Sequence, residues 1–334
     1  MTVEPSPSPF PFARYFGEIT VLAALQYRDG PRPFHDRPPR DPAPSDLLLY
    51  LGCNILRTAH LATTVVAVLR AMGFAFEAVG GPAYCCGVIH WLNGAPESAR
   101  RYAGNSLRHF AAFRPTHVLM WCPSCNEHYD DVVTREHAVP FSYEHVTAFI
   151  ARHLDRVRFV RRVERRVALH YHTGHPQADL DGTSTRAILA AIPGLEYVEI
   201  PNPPALGRHC SAKYIQRLGR PAWQAHVEAV LRAAVAARAD VLATIYHSCH
   251  REICDGEGRH PLQVVNYITL LAEAMGLDPP ADWFKQQRLA ADPAATFAAV
   301  RADVEALGLD PARVRDVLER AFAPACERRL PNPS

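Results

Sequence analysis

The sequence predicts an α/β protein built from two tandem modules with parallel sheets. Short apolar runs alternate with segments of helical periodicity, the pattern of strands joined by crossover helices. The same order returns after about 120 residues, as expected of two fused copies of one unit. Cysteines or histidines also cluster where the apolar runs end.

Residues 1–45 read as an extended proline-rich arm. Pro5, Pro7, Pro9 and Pro11 open it, and Pro31, Pro33, Pro38, Pro39, Pro42 and Pro44 close it. Proline removes a backbone donor and is excluded from helix interiors and central strands. Between the two groups, Tyr15 to Tyr27 is apolar enough to dock on the body.

The first module is expected over 46–160. Leu47 to Leu51 is an apolar run between Asp46 and Gly52, which suits a buried strand. Ile55 to Met72 has helical spacing and stops at Gly73, a C-cap signal. Phe74 to Val79 is the next strand, and Pro96 to Phe113 is a helix with proline in its first turn. Thr116 to Trp121 is a third strand, with a further helix starting near Asn126.

The second module, 161–280, repeats this order. Strands are expected at Val167 to Tyr171, Leu195 to Ile200 and Val241 to Tyr246. Helices are expected near Thr185 to Ala191, at Ala222 to Ala237 and at Val264 to Met275. A helical tail, 281–334, ends the chain. Parallel pairing needs such crossovers, and ligand sites in parallel sheets form at the C-terminal strand ends.

Composition narrows the function. Thirty-six basic residues balance thirty-four acidic ones, a net charge of +2, which is no footprint for nucleic acid or an anionic membrane. No run has the length of a transmembrane helix, and the N-terminus lacks a signal pattern, so a cytoplasmic protein is expected. There thiols stay reduced, so nine cysteines point to metal or redox chemistry before disulfides. No glycine-rich phosphate loop is present, so no nucleotide cofactor is implied.

Five of the nine form one pattern. Cys53 is followed by thirty-one residues, then Cys85-Cys86-Gly87, then Cys122-Pro123-Ser124-Cys125. Thiolates hold zinc or iron–sulfur clusters, and four are enough for either. Five, with an adjacent pair, exceed a simple zinc site or a cubane. This pattern resembles the cysteine-rich CCG domain of heterodisulfide reductases, and the resemblance spans roughly Leu47 to Gly276. It implies Rossmann-like CCG modules and a noncubane [4Fe-4S] cluster on Cys53, Cys85, Cys86, Cys122 and Cys125. It also implies one component of an oxidoreductase, passing electrons to a sulfur compound or other small acceptor. The expected donor is a ferredoxin-like iron–sulfur or flavin-containing partner.

The second module departs from that pattern. His175 stands at the first cysteine position, His209-Cys210 at the pair, and His247-Ser248-Cys249-His250 at the CxxC. Four histidines and one thiolate suit a single borderline metal, iron or zinc, better than a cluster. The expected ligands are His175, His209, Cys210, His247 and His250. Iron is favoured because it can accept electrons. His170 and His172 are read as flanking groups or alternate ligands, and Cys249 as a nearby thiol, or as a ligand if its loop slips by one residue. Cys254 and Cys326 are read as plain buried or tail cysteines. The plainer readings are a degenerate second copy, or an electron-transfer or assembly component with a structural zinc. A third reading is a metal or redox sensor that uses the arm as its partner contact.

Overall fold

The computed structural model describes residues 10–324; Pro5, Pro7, Pro9 and Cys326 lie outside the described residues. Two four-stranded parallel sheets are present, as the alternation predicts. The first contains β1 (Leu47–Tyr50), β2 (Glu77–Val79), β3 (His117–Met120) and β4 (Ser142–His145), in the order β2-β1-β3-β4. The second contains β5 (Arg166–His170), β6 (Glu196–Val198), β7 (Val241–Thr244) and β8 (Gln263–Asn266), in the matching order β6-β5-β7-β8.

The central strands are apolar because both faces are covered. Leu49 and Leu119 point into one core, and their neighbours Leu48, Tyr50, Val118 and Met120 point into another. The second of these cores is closed by the helix Pro96–Ala112 through Phe110. Each fully buried leucine contributes roughly 2 kcal/mol.

Two strands escape the sequence pattern. β4 reads Ser-Tyr-Glu-His and is an edge strand, mostly half-buried, so it carries no apolar run. β8 falls where a helix is expected. It is a four-residue strand, and Asn266 then accepts the Ile268 N–H to start the helix Tyr267–Ala274 with no loop between.

The modules meet around an approximate twofold arrangement. The helix after β4 (Val146–Arg152) packs on the helix after β5 (Pro176–Ala191), and the helix after β8 (Tyr267–Ala274) packs on the helix after β1 (Ala59–Ala71). One hydrophobic core therefore runs through both modules. Within it Tyr246 Oη donates to Asp181 at 2.7 Å, and His145 Nδ1 lies 3.3 Å from the same carboxylate.

The docked element of the arm is a helix, Phe12–Gln26, with Ile19, Leu22 and Leu25 buried. It packs on the Asn54–Thr58 turn after β1 and on the last tail helix, Pro311–Phe322. Glu18 joins all three, taking ion pairs from Arg57 at 2.9 Å and Arg320 at 3.4 Å. The tail is helical as expected: Trp283–Ala290, Pro293–Ala306 and Pro311–Phe322. No helix among the described residues is long and apolar enough to cross a membrane.

Candidate metal centres

The five patterned cysteines converge. Cys53 follows β1, Cys85 and Cys86 follow β2 after the turn Pro82–Tyr84, and Cys122 and Cys125 open the helix after β3. All five are buried free thiols, and all line one cavity of about 510 Å³. Cys53 perturbs Cys85, and Cys122 and Cys86 both perturb Cys125, so the five thiols act on one another across the cavity. The Cys122 thiol is held well below its ordinary value by its bond to Cys125, against burial, with His247 adding a further hydrogen bond. The Cys85 thiol is pushed up by its bond to Cys53 and by burial.

The glycine of the CCG triplet has a steric reason. Gly87 sits at φ +90°, and a Cβ there would lie 2.4 Å from the Ala99 carbonyl oxygen. Only glycine lets the pair approach the helix Pro96–Ala112 so closely. Ser106 on that helix donates to the Cys85 carbonyl at 2.8 Å and fixes the loop.

The second module gathers a different set from the one expected by spacing. His170, His172, Cys210 and Cys249 each offer a ligand atom, all within 4.8 Å of one another, and all four residues are buried. His172 Nε2 lies 3.2 Å from Cys249 Sγ and 3.6 Å from Cys210 Sγ, while His170 Nε2 lies 3.5 Å from Cys210 Sγ. Burial raises the Cys249 thiol, but hydrogen bonding from Cys210 and the adjacent His172 and His170 bring it well below its ordinary value.

Of the five residues expected here, only Cys210 joins this group. His175 caps the helix Pro176–Ala191, accepting the Gln177 N–H at 3.3 Å. His209 turns toward the first module, 2.9 Å from Glu127 and 3.3 Å from Ser124 Oγ. His247 reaches Cys122. His250 pairs with Asp282, which also lies 3.3 Å from His60 Nδ1. His60, His250 and Asp282 form a second donor group, the imidazoles buried and the carboxylate half-buried, that ties both modules to the tail. Burial pushes His60 down to about 4, while Asp282 is held well below the usual carboxylate range, its flanking imidazoles outweighing burial.

Sheet register explains the difference. Tyr50 pairs with Met120 in the first sheet, and His170 pairs with Thr244 in the second. Cys125 and Cys249 both lie five residues past the paired β3 and β7 positions. Cys249 is therefore the structural counterpart of Cys125, one residue earlier than spacing assigns it. On the same register His172 stands where Gly52 does, one residue before the place of Cys53.

Residues 47–129 match the family model of the CCG cysteine-rich domain. Over 253 residues the chain is 27% identical to one component of the dihydromethanophenazine:CoB–CoM heterodisulfide reductase of Methanosarcina mazei, covering 70% of this chain and 60% of that protein. The corresponding protein from Methanosarcina barkeri is 25% identical over 248 residues with the same coverage. The chain thus spans about 60% of the length of these curated relatives. Among solved structures, an aspartate racemase homologue from Pyrococcus horikoshii aligns with a TM-score of 0.32 and 12% identity, over 69% of this chain and 99% of that one. A likeness that slight carries no argument.

Proposed function

We propose that this CCG-domain protein, similar to components of heterodisulfide reductase, is an iron–sulfur redox subunit that delivers electrons to a small acceptor. One observation carries the reading: five buried thiols from three strand ends line a single cavity. Cys53, Cys85, Cys86, Cys122 and Cys125 would hold a noncubane [4Fe-4S] cluster. Five thiols around one cavity, with adjacent cysteines from one loop, suit a multinuclear group better than one ion. When bound, the cluster supplies one-electron redox chemistry.

The chain's own residues set the charge of the pocket. Seven basic side chains line the cavity against two acidic ones, Glu18 and Glu252. Arg57 and Arg320 are engaged by Glu18, and Arg251 by Glu252 and Asn54. Arg220 and Arg288 each keep a buried Nε without a hydrogen-bond partner. A guanidinium in that state favours an anion. The acceptor is accordingly a small anionic molecule, a sulfur compound in this reading. The basic wall also offsets the negative charge of thiolate ligands.

The electron donor is a ferredoxin-like iron–sulfur or flavin-containing partner protein, and the compartment is the cytoplasm. The second module holds one mononuclear ion, iron or zinc, in place of a second cluster. That substitution also favours a second reading, an electron-transfer or assembly component with no substrate of its own. Iron and sulfide analysis with Mössbauer spectroscopy on anaerobically purified, reconstituted protein tests the assignment. About four irons with matching sulfide are expected. Protein that takes up no iron–sulfur cluster would overturn it. Spectral change on adding a small anionic disulfide separates the two readings.

A further inference from the structure

We propose that His170, His172, Cys210 and Cys249 hold a single zinc ion in a closed tetrahedral site. This deepens the mononuclear-ion reading of the second module and is independent of the first module's cluster.

The placement comes from the sheet. His170 is the last residue of β5 and His172 follows two residues on, so both rings point to the same side of the strand end. Cys210 comes from the loop after β6. Cys249 lies on the helix after β7, at the register position of Cys125. Three strand ends thus converge on one point, as they do in the first module.

The donor chemistry is that of zinc. The Gly207 carbonyl lies 2.6 Å from His172 Nδ1. A carbonyl only accepts, so Nδ1 carries the proton and the Nε2 lone pair faces the two sulfurs. A backbone carbonyl behind a ligating imidazole is the usual support that fixes its tautomer. Gly207 is itself demanded by packing. Its φ is +74°, and a Cβ would lie 2.3 Å from the Tyr214 ring.

The spacing also matches. Zinc–sulfur bonds of about 2.3 Å and zinc–nitrogen bonds of about 2.0–2.1 Å at tetrahedral angles place neighbouring N and S atoms about 3.5 Å apart. Three of the four N···S separations are 3.2, 3.5 and 3.6 Å, and all four ligand atoms lie within 4.8 Å of one another. The four ligands are 0% to 3% exposed, so no position is left open to water or substrate. Two thiolates, two imidazoles and a closed shell define a structural zinc site rather than a catalytic one. The ion would pin the loops after β5, β6 and β7, and the second module would take no electrons.

Metal analysis and zinc-edge X-ray absorption on the full-length protein test this. The expected result is about one zinc per chain with two nitrogen and two sulfur neighbours. Cys210→Ser or Cys249→Ser should lower zinc content at least about tenfold, while His175→Ala leaves it unchanged. Iron and sulfide measured on the same sample report the first module separately, so loss of either centre is seen without the other. Absence of zinc, iron in its place, or a shell lacking sulfur would overturn the proposal. So would zinc lost on His175→Ala and kept in Cys249→Ser. The absorption measurement uses the unaltered chain and holds even if a variant fails to fold.

Discussion

The two modules share one topology and differ at one edge. β2-β1-β3-β4 and β6-β5-β7-β8 have the same order and direction, and each central pair is buried on both faces. At the C-terminal strand ends, the first module presents five thiols around a cavity and the second presents two imidazoles and two thiols in a closed knot. Strand pairing depends on backbone hydrogen bonds and apolar burial, and neither involves the loop residues that follow. The sheet can therefore keep its form while the donor set, and with it the ion, changes.

The largest break in the comparison is removal of a proposed cluster ligand. Cys86→Ser should abolish stable cluster binding and lower iron content about tenfold or more, with the second module's metal unchanged. Equal loss of both metals would mean that the modules do not bind independently.

Next comes the contact between modules. Asp181 is fully buried, accepts from Tyr246 and faces His145. Asp181→Leu leaves the His145 imidazole without its counter-charge. It should cost about 3–5 kcal/mol, read as a lower urea midpoint. A change below about 1 kcal/mol would show that the pair is dispensable.

A subtler comparison uses the residue after Cys85-Cys86 and its counterpart after His209-Cys210. Gly87 follows Cys85-Cys86, and Ser211 follows His209-Cys210. Gly87→Ala forces a Cβ against the Ala99 carbonyl at positive φ, and should cost about 1–3 kcal/mol with weaker cluster retention. Ser211→Gly should stay within about 1 kcal/mol, because Ser211 lies at φ −117°, open to any residue. Equal effects at both positions would erase the contrast.

Much of this is legible in sequence, and the rest is not for physical reasons. The apolar runs Leu47 to Leu51 and Val241 to Tyr246 announce buried strands because both of their faces are covered. β4 does not, since an edge strand of Ser, Tyr, Glu and His has no such run. The five cysteines converge on one cavity because each group follows a strand. The histidines mislead because spacing equates His247 and His250 with Cys122 and Cys125. Register shifts that match by one residue and brings in Cys249. His170 and His172 are visible as flanking groups, but only the pairing of β5 with β7 shows that they face Cys249. The displaced histidines take other contacts: His209 with Glu127, His247 with Cys122 and His250 with Asp282.

The last comparison is one of pH, and two interface histidines give it opposite signs. Burial lowers the His145 pKa, but the Asp181 charge and hydrogen bond outweigh it and raise the net value. Its contribution is fully present below the unfolded value of about 6.5 and is lost as pH rises through the raised folded value. His60 is pushed down to about 4 by burial, with Asp282 only partly opposing. Between about 6.5 and 4 the unfolded chain binds a proton that folded His60 refuses, so stability falls as pH falls. That window corresponds to about 3 kcal/mol at most. Urea midpoints at several pH values should therefore decline on both sides of a maximum. His60→Asn should flatten the acid limb and leave the alkaline limb, and Asp181→Asn should do the reverse. An acid limb between about 6.5 and 4 that is unchanged in His60→Asn would overturn this assignment; loss of stability below about 4.5 belongs to Glu127, whose value is held down to about 2 against burial by His209 and Lys213.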